Sequence, residues 1–261
     1  FSFSVSALIN RLPIAHIHGG ELTSGAFDDA LRHSITKMSH IHFASTYEYK
    51  KRILQLGENP KLVFNVGSLG VENLLKTKLY NKKIVESRLN LKFLKKNLLV
   101  TFHPVTLEKD YGISEFKALL KALEKLKKTK IIFTLPNMDT NNNKFFKLVK
   151  KFTNKNKFAK FYSSMGRILY LSCMKHVDAV IGNSSSGIIE TPGFKKATIN
   201  IGSRQTGRIK AKSIIDCYPN EKHITRAISR IYSKKFKLLL KKINNPYAKK
   251  NASNNILEVL S

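Results

Sequence analysis

Short runs of apolar residues, each bounded by glycine, proline or polar residues, alternate along the chain with longer segments of helical periodicity. This alternation is typical of βα units that form a parallel sheet. Between the fourth and fifth runs, apolar residues recur at helical spacing, which predicts a helix with one face on the sheet and its lysines in water. That helical face comprises Ile113, Phe116, Leu119, Leu120 and Leu123. Strands are predicted at residues 14–18, 42–45, 63–66, 97–102, 130–134, 158–162, 179–181 and 198–201.

The alternation is interrupted over residues 73–97, which are rich in charge and form the predicted domain boundary. We predict an α/β protein with two Rossmann-like domains and parallel sheets. Residues 1–88 contain too few strands for a complete doubly wound sheet, 89–245 suffice for one, and 246–261 form a C-terminal helix that packs back on the first domain. Because Phe1, not Met, opens the chain inside an apolar helical stretch, we expect the N-terminal domain to be incomplete.

The 261 residues can bury a sizeable core without covalent staples. Cys173 and Cys217 lie far apart and form neither a disulfide framework nor a metal-ligand pair, which favours a reducing cytoplasm. The net charge of +30 raises nucleic acid as a partner, but the lysines spread over nearly every predicted helix and loop without interleaved aromatic residues. We therefore expect neither a nucleic-acid nor a membrane partner; no apolar run is long enough to span a bilayer.

The first cluster of candidate chemistry follows the first predicted strand. His18 and Glu21 flank two glycines, and Asp28 and Arg32 come shortly after them. Open α/β sheets bind ligands at the carboxyl ends of their strands, so His18, Glu21 and Asp28 are candidate catalytic groups and Arg32 a candidate substrate ligand. For Asp28 and Arg32, charges that complement a helix dipole are an equally good explanation when each residue is taken alone. A zinc site is poorly supported because the spacing matches no common ligand set.

A second signal is the pair of polar residues that end the next two central strands. His103 follows an apolar strand and is kept out of helical conformation by the proline after it. Asn137 occupies the equivalent place after the following strand. Both belong at the same sheet edge, where His103 is a further candidate catalytic group and Asn137 a candidate substrate ligand, although a strand-terminal histidine can also cap a turn and asparagine is a common turn former.

The third signal is the turn Gly-Asn-Ser-Ser-Ser-Gly at residues 182–187, placed between an apolar strand and a helix. Ser184, Ser185 and Gly187 offer hydroxyls and closely approaching backbone N–H groups to a phosphate. Glu190 lies one turn further on, within reach of ribose hydroxyls, and Arg204 lies in a glycine-punctuated loop suited to a diphosphate. The lysine of a Walker A loop is absent. The alternative is an ordinary serine-rich helix cap.

Residues 13–21, 32–40, 64–70, 103–106, 182–187 and 202–208 together resemble the hydrolysing UDP-N-acetylglucosamine 2-epimerase family, which opens bacterial sialic-acid and legionaminic-acid-type sugar synthesis. The resemblance covers most of the chain. It implies two Rossmann-like domains facing each other across a cleft, as in two-domain glycosyltransferases, with UDP held by the C-terminal domain. It further implies a homo-oligomer, and no metal or nicotinamide cofactor.

The implied reaction converts UDP-N-acetylglucosamine into N-acetylmannosamine and UDP, through elimination to a glycal and addition of water. Asp28 would be one catalytic carboxylate. Many relatives carry Glu where His18 stands, so the acid/base role stays open between His18 and Glu21. The residues that would contact the nucleotide are His103, Asn137, Ser184, Ser185, Glu190 and Arg204.

The resemblance also implies a Gly-Asp-Arg motif upstream of Phe1 whose Asp is a leading catalytic candidate, so we expect these 261 residues alone to be inactive. Four alternatives stay open for the function. The substrate could be a UDP-2,4-diacetamido-2,4,6-trideoxyhexose, or the protein could be a UDP-sugar glycosyltransferase of the same architecture. From another class, it could be a basic nucleic-acid-binding protein or a non-catalytic UDP-sugar-binding protein.

Overall fold

The computed structural model describes residues 1–23, 28–105, 109–135 and 142–261 and contains two parallel sheets. The strands are Ala15–Ile17 (β1), Ile41–Ala44 (β2), Val63–Asn65 (β3), Lys96–Thr101 (β4), Thr129–Thr134 (β5), Ala159–Tyr162 (β6), Ala179–Gly182 (β7), Ala197–Ile201 (β8) and Ile214–Cys217 (β9). The α-helices are Ser2–Ile9 (α1), Asp28–Met38 (α2), Tyr47–Gln55 (α3), Leu69–Lys76 (α4), Lys82–Arg88 (α5), Ile113–Glu124 (α6), Asn142–Lys155 (α7), Arg167–His176 (α8), Ser185–Ile189 (α9), Glu221–Ile231 (α10), Lys234–Lys241 (α11) and Ala252–Leu260 (α12).

The smaller sheet has the strand order β1-β2-β3, with every pair parallel. Its central strand is buried along most of its length because helices cover it, and Phe43 and Ala44 are almost fully shielded from water. Helix α3 packs under this sheet through Tyr49 and Ile53. The carboxyl end of β1 therefore leads directly into the first cluster of polar residues.

The larger sheet has the strand order β6-β5-β4-β7-β8-β9 and is also entirely parallel. The direction of winding reverses between β4 and β7, and open α/β sheets bind ligands at such a reversal. The two strands end in register, with Thr101 opposite Gly182. A Cβ at Gly182 would lie 1.9 Å from the Thr101 carbonyl oxygen, so only glycine permits this close approach of the two strand ends.

All eight predicted strands are confirmed, with ends that differ by no more than two residues. The predicted helix after β4 is confirmed as α6, whose Phe116, Leu119 and Leu123 are buried against the sheet. Strand β9 was not predicted. Its four residues include the exposed Asp216, so the run is too short and too interrupted to stand out as apolar.

Two segments cross between the sheets. Helix α5 packs on the helices of the larger sheet, where Val85 and Leu89 share a cluster with Leu99. The C-terminal segment returns to the smaller sheet: the backbone N–H and hydroxyl of Ser253 donate to the Glu72 carboxylate at 2.8 and 3.1 Å. The domain limits at 88/89 and 245/246 stay a prediction. No helix in the described ranges is long and apolar enough to cross a membrane.

Candidate active site

The first edge of the site is the turn after β1, where the backbone is left-handed at a residue other than glycine. His18 has φ of 65°, a conformation that is costly for most side chains and recurs at functional sites. Its N–H still bonds to the Phe43 carbonyl at 2.9 Å, so the turn is anchored on β2. The next turn residue, Gly20 at φ 76°, would carry a Cβ 2.4 Å from the Tyr49 carbonyl, so the turn lies directly on α3.

Glu21 is the most enclosed charge of this edge, with 5% of its surface exposed. Its Oε1 is 3.2 Å from His18 Nδ1 and accepts from the Ser45 hydroxyl at 3.2 Å. Its Oε2 pairs with Arg208 Nη1 at 3.0 Å. Burial pushes the pKa of Glu21 upward, but the His18 hydrogen bond and the Arg208 charge outweigh it and leave the pKa below its ordinary value. Glu21 is therefore a carboxylate whose oxygens are already bonded.

Two aspartates begin α2, and the structure separates their surroundings. Asp29 accepts from the Thr23 backbone N–H at 2.8 Å and lies 3.7 Å from Arg32. Arg32 in turn donates to the Glu21 carbonyl at 3.2 Å. Asp28 is exposed, and burial lowers the pKa of Arg204 across the gap to the larger sheet, a shift that the Asp28 charge opposes. Asp29 thus orders the turn after β1, whereas Asp28 faces the other half of the site.

The second edge is formed at the winding reversal of the larger sheet. The Asn183 side chain binds the backbone of His103 on both sides: its Oδ1 accepts from the His103 N–H at 2.7 Å and its Nδ2 donates to the carbonyl at 2.8 Å. Burial, with the nearby Arg204 charge, lowers the pKa of His103 to about 4. The imidazole at the end of β4 is therefore neutral at physiological pH and is placed next to an arginine.

The serine turn combines a helix cap with a network of hydroxyls. Ser184 caps α9 and accepts from the Ser186 N–H at 3.4 Å, as the capping alternative requires. Its hydroxyl also lies 3.1 Å from that of Ser186, which bonds to Tyr170 at 2.6 Å. Ser185 is the first residue of α9. A Cβ at Gly187 would lie 2.8 Å from Thr198 Cγ2, so the turn sits close on β8.

Beyond the turn, several buried polar atoms lack hydrogen-bond partners among the described residues, including Nε and Nη1 of Arg208 in the loop after β8, although that Nη1 is ion-paired with Glu21. Three more lie nearer the serine turn. They are Glu190 Oε2, Arg204 Nε and Gln205 Oε1. Burial raises the pKa of Glu190 and lowers that of Arg204, as expected for charges held away from water. Arg204 and Gln205 both donate to the Asn183 carbonyl, at 3.1 and 2.9 Å. Unpaired buried polar groups are costly, and a ligand that pairs them would remove that cost.

Arg208 joins the two edges. It is carried by the same loop as Arg204, and besides the Glu21 contact it donates to the Thr23 hydroxyl at 3.3 Å. Its side chain is only 6% exposed. The motif alone did not separate the roles of the two arginines. Two arginines four residues apart in a loop after a strand indicate an anion-binding loop. The pairing of Arg208 with Glu21 can be recognised only in the three-dimensional structure.

Of the predicted site residues, the structure brings His18, Glu21 and Arg32 together at the first edge. At the second edge it groups His103, Ser184, Ser185, Gly187, Glu190 and Arg204, and Asp28 faces that group electrostatically. Asn137 lies outside the described residues. In the ranges that the structure describes, no three His, Cys, Asp or Glu side chains converge so that they could hold a metal ion.

Comparison with known proteins identifies the family. The sequence model described as UDP-N-acetylglucosamine 2-epimerase matches residues 1–261. The chain belongs to this family. The prediction from the sequence motifs is thereby confirmed.

Two similar proteins show how the chain compares with individual relatives. It is 46% identical to a Campylobacter jejuni protein named GDP/UDP-N,N'-diacetylbacillosamine 2-epimerase (hydrolyzing), over 88% of this chain and 60% of that one. It is 42% identical to the Escherichia coli polysialic acid biosynthesis protein P7, over 100% of this chain and 66% of that one. The chain therefore spans less than two thirds of the length of these relatives.

A solved structure supports the fold. The UDP-GlcNAc 2-epimerase from Neisseria meningitidis, solved with UDP-GlcNAc bound, superimposes with a TM-score of 0.82 at 19% identity, over 98% of this chain and 72% of that one. The α/β architecture with two Rossmann-like units, as in two-domain glycosyltransferases, is thereby confirmed.

Proposed function

We propose that the protein is a hydrolysing 2-epimerase of UDP-linked 2-acetamido sugars. The observation that carries this proposal is the contact chain from His18 through Glu21 to Arg208. This chain of contacts connects the loop that carries Arg204 with His18, a group that can transfer protons. Proton transfer at C2 and departure of UDP from C1 would then occur between two edges that are already connected.

The second edge is proposed to bind UDP. Glu190 Oε2, Arg204 Nε and Gln205 Oε1 are unpaired atoms of this edge that a ligand would satisfy. Glu190 would accept from ribose hydroxyls, and Arg204 would donate to the diphosphate. His103 is neutral, so it would donate a hydrogen bond to the diphosphate without adding charge. The hydroxyls of Ser184 and Ser185 would complete the phosphate contacts.

The first edge is proposed to move the C2 proton, and the geometry favours His18 over Glu21 for that role. Glu21 Oε1 is hydrogen-bonded and Oε2 is ion-paired with Arg208, and the pKa of Glu21 is lowered, which makes it a poor base. Because Glu21 accepts at His18 Nδ1, the imidazole proton is held there, and Nε2 is left with a free lone pair. A carboxylate orients the histidine of a catalytic triad in the same way. Glu21 is thus proposed as a positioning residue and His18 as the base.

In the proposed reaction, His18 takes the proton from C2 while the C1–O bond breaks and UDP leaves, giving the glycal. Arg204 and Arg208 would stabilise the negative charge that grows on the leaving diphosphate. A hydroxyl from water then adds at C1, and a proton returns to C2 on the opposite face. Asp28, whose charge acts on Arg204, is the candidate for that second transfer: its carboxylate would take a proton from the attacking water and pass it to C2, while the proton on His18 returns to solvent. Arg32 would hold the turn and the sugar next to it.

Incubation of the purified full-length protein with UDP-N-acetylglucosamine, without an acceptor, tests the proposal. Release of UDP together with N-acetylmannosamine, and uptake of solvent deuterium at C2, is the expected result. A glycosyltransferase of the same architecture would need an acceptor before UDP appears. Absence of UDP release without an acceptor, with turnover once one is supplied, would exclude epimerisation.

A second substrate follows from a relative. The C. jejuni protein at 46% identity is named for N,N'-diacetylbacillosamine, a sugar that carries a second acetamido group. Competition between UDP-N-acetylglucosamine and UDP-N,N'-diacetylbacillosamine for the same enzyme would decide: the substrate with the higher kcat/KM is the preferred one. We expect both to release UDP, because the residues proposed to act at C1 and C2 are indifferent to the groups at C4 and C6.

A further inference from the structure

Two buried tyrosines from distant parts of the chain meet at the loop that carries Arg208. Tyr49 lies on α3 under the smaller sheet, and Tyr247 belongs to the C-terminal segment. Both are 0% exposed. Their hydroxyl oxygens are 2.8 Å apart, although the residues are separated by 198 positions in sequence. A buried tyrosine hydroxyl needs a hydrogen-bond partner, so this pair must be satisfied locally.

The contacts of the pair fix the direction of every hydrogen bond. Tyr247 donates to the Ile209 carbonyl at 2.9 Å, which uses its only hydroxyl proton. Tyr49 must therefore donate to Tyr247, and its oxygen accepts from the Ile209 N–H at 3.2 Å. The result is a closed ring of three hydrogen bonds from Ile209 N–H through both tyrosines to Ile209 C=O. Hydrogen bonds in such chains polarise and strengthen one another.

The ring holds the residue that directly follows Arg208. The same α3 also supports the other partner of that arginine, because Gly20 packs on the Tyr49 backbone and Arg52 donates to the Gly20 carbonyl. Helix α3 thus sets both sides of the Glu21–Arg208 pair. Next to Arg208, Gly207 packs against Leu22, the neighbour of Glu21. A Cβ added at Gly207 would lie 2.6 Å from Leu22 Cδ1.

We propose that Tyr49 and Tyr247 are positioning residues that fix Arg208 against Glu21, so that the C-terminal segment contributes to the active site through the arginine loop. The effect on UDP binding rests on the function proposed above. The effect on the loop does not. Neither hydroxyl needs to touch substrate, because each acts through the Ile209 peptide group.

The first experiment measures loop order in the full-length protein. Tyr247→Phe and Tyr49→Phe each delete one hydroxyl of the ring. Tyr232→Phe is the matched control, since its hydroxyl bonds to Asp178 at the opposite end of the larger sheet. Hydrogen exchange of the peptide that covers residues 202–210 should become at least fivefold faster in the two ring variants and unchanged in the control. Unchanged exchange in both ring variants would overturn the proposal.

The second experiment is a double-mutant cycle on UDP affinity, measured by calorimetry beside the unfolding temperature. Tyr247→Phe should weaken UDP binding about fivefold in the wild-type background and less than twofold in the Arg208→Gln background, because the ring acts through Arg208. An equal loss in both backgrounds means a merely structural role and contradicts the proposal. If the unmodified protein binds no UDP, the proposed function fails, while the exchange measurement still decides whether the ring fixes the loop.

Discussion

The two edges of the site differ in how their buried charges are satisfied. At the turn after β1, Glu21 is bonded to His18, Ser45 and Arg208. At the second edge, Glu190 after α9 and Arg204 after β8 each keep a buried polar atom without a partner among the described residues. Glu21 of the first edge is thus engaged through both oxygens, whereas Arg208, which joins the edges, keeps Nε and Nη1 without hydrogen bonds among the described residues. A ligand bound at the second edge, as proposed, would supply the missing donors and acceptors.

This difference explains why the two buried glutamates have pKa values displaced in opposite directions. Hydrogen bonds and a paired arginine lower the pKa of Glu21, whereas burial raises that of Glu190. A group that must be oriented for proton transfer benefits from fixed partners. A group that must bind a ligand benefits from being unpaired beforehand, since the ligand then gains the whole contact.

The largest expected effect comes from His18→Gln, which keeps a donor for Glu21 and removes the basic nitrogen. Turnover of the UDP-sugar should fall by about 100- to 10,000-fold, the usual contribution of a general base, with UDP affinity changed less than twofold. Steady-state kinetics and UDP calorimetry measure the two quantities. His223→Gln, on the exposed face of α10, is the matched control. Retained turnover in His18→Gln would assign the base elsewhere.

Arg204→Ala should act on the other edge and chiefly on binding. Loss of a charge-assisted contact to the diphosphate is expected to weaken UDP affinity by about 10- to 100-fold. The unfolding temperature should change little, because Gln205 still donates to the Asn183 carbonyl. Arg226→Ala on α10 removes the same charge from an exposed position and serves as control. Equal affinities for the two variants would contradict the placement of UDP.

The two edges also differ in how much of their structure could be predicted from the sequence. The strands lie in apolar runs bounded by turn residues, so all those in the described residues were predicted except the four-residue β9. The positions of His18, His103 and the serine turn followed from their places at strand ends. The pairing of Glu21 with Arg208 did not, because it joins residues far apart in the chain and depends on how two sheets meet.

The same limit applies to choices between neighbouring residues. Asp28 and Asp29 are equivalent in sequence, yet only Asp29 accepts from the Thr23 backbone. The ring of hydrogen bonds formed by Tyr49, Tyr247 and Ile209 could likewise not be predicted, since the two tyrosines belong to no motif and look like ordinary core residues in the sequence. Propensity and periodicity describe local structure, whereas these contacts are fixed only by the tertiary fold.

Glu21→Gln should cost about 1.5–3 kcal/mol of unfolding free energy at pH 7, since it leaves the buried Arg208 without its charged partner. The folded pKa of Glu21 is lowered, so the stabilisation is present above the ordinary carboxyl pKa and is lost as the pH falls through the folded value. Urea unfolding of both proteins between pH 7 and pH 3 should show the difference shrinking on acidification. A constant difference would mean that the charge of Glu21 is unimportant.

Glu190→Gln should have the smallest effect and the opposite sign. The folded pKa of Glu190 is raised, so the folded state binds more protons than the unfolded chain above the ordinary carboxyl pKa, and wild-type stability falls as the pH rises through the folded value. The neutral amide removes that penalty and should raise the free energy of unfolding at pH 7 by on the order of 1 kcal/mol. UDP affinity should fall about fivefold, because an amide is a weaker acceptor for ribose hydroxyls than a carboxylate. A variant that is both more stable and weaker in UDP binding would show that this edge is left unpaired for its ligand; a variant that loses stability would show that Glu190 is a structural carboxylate instead.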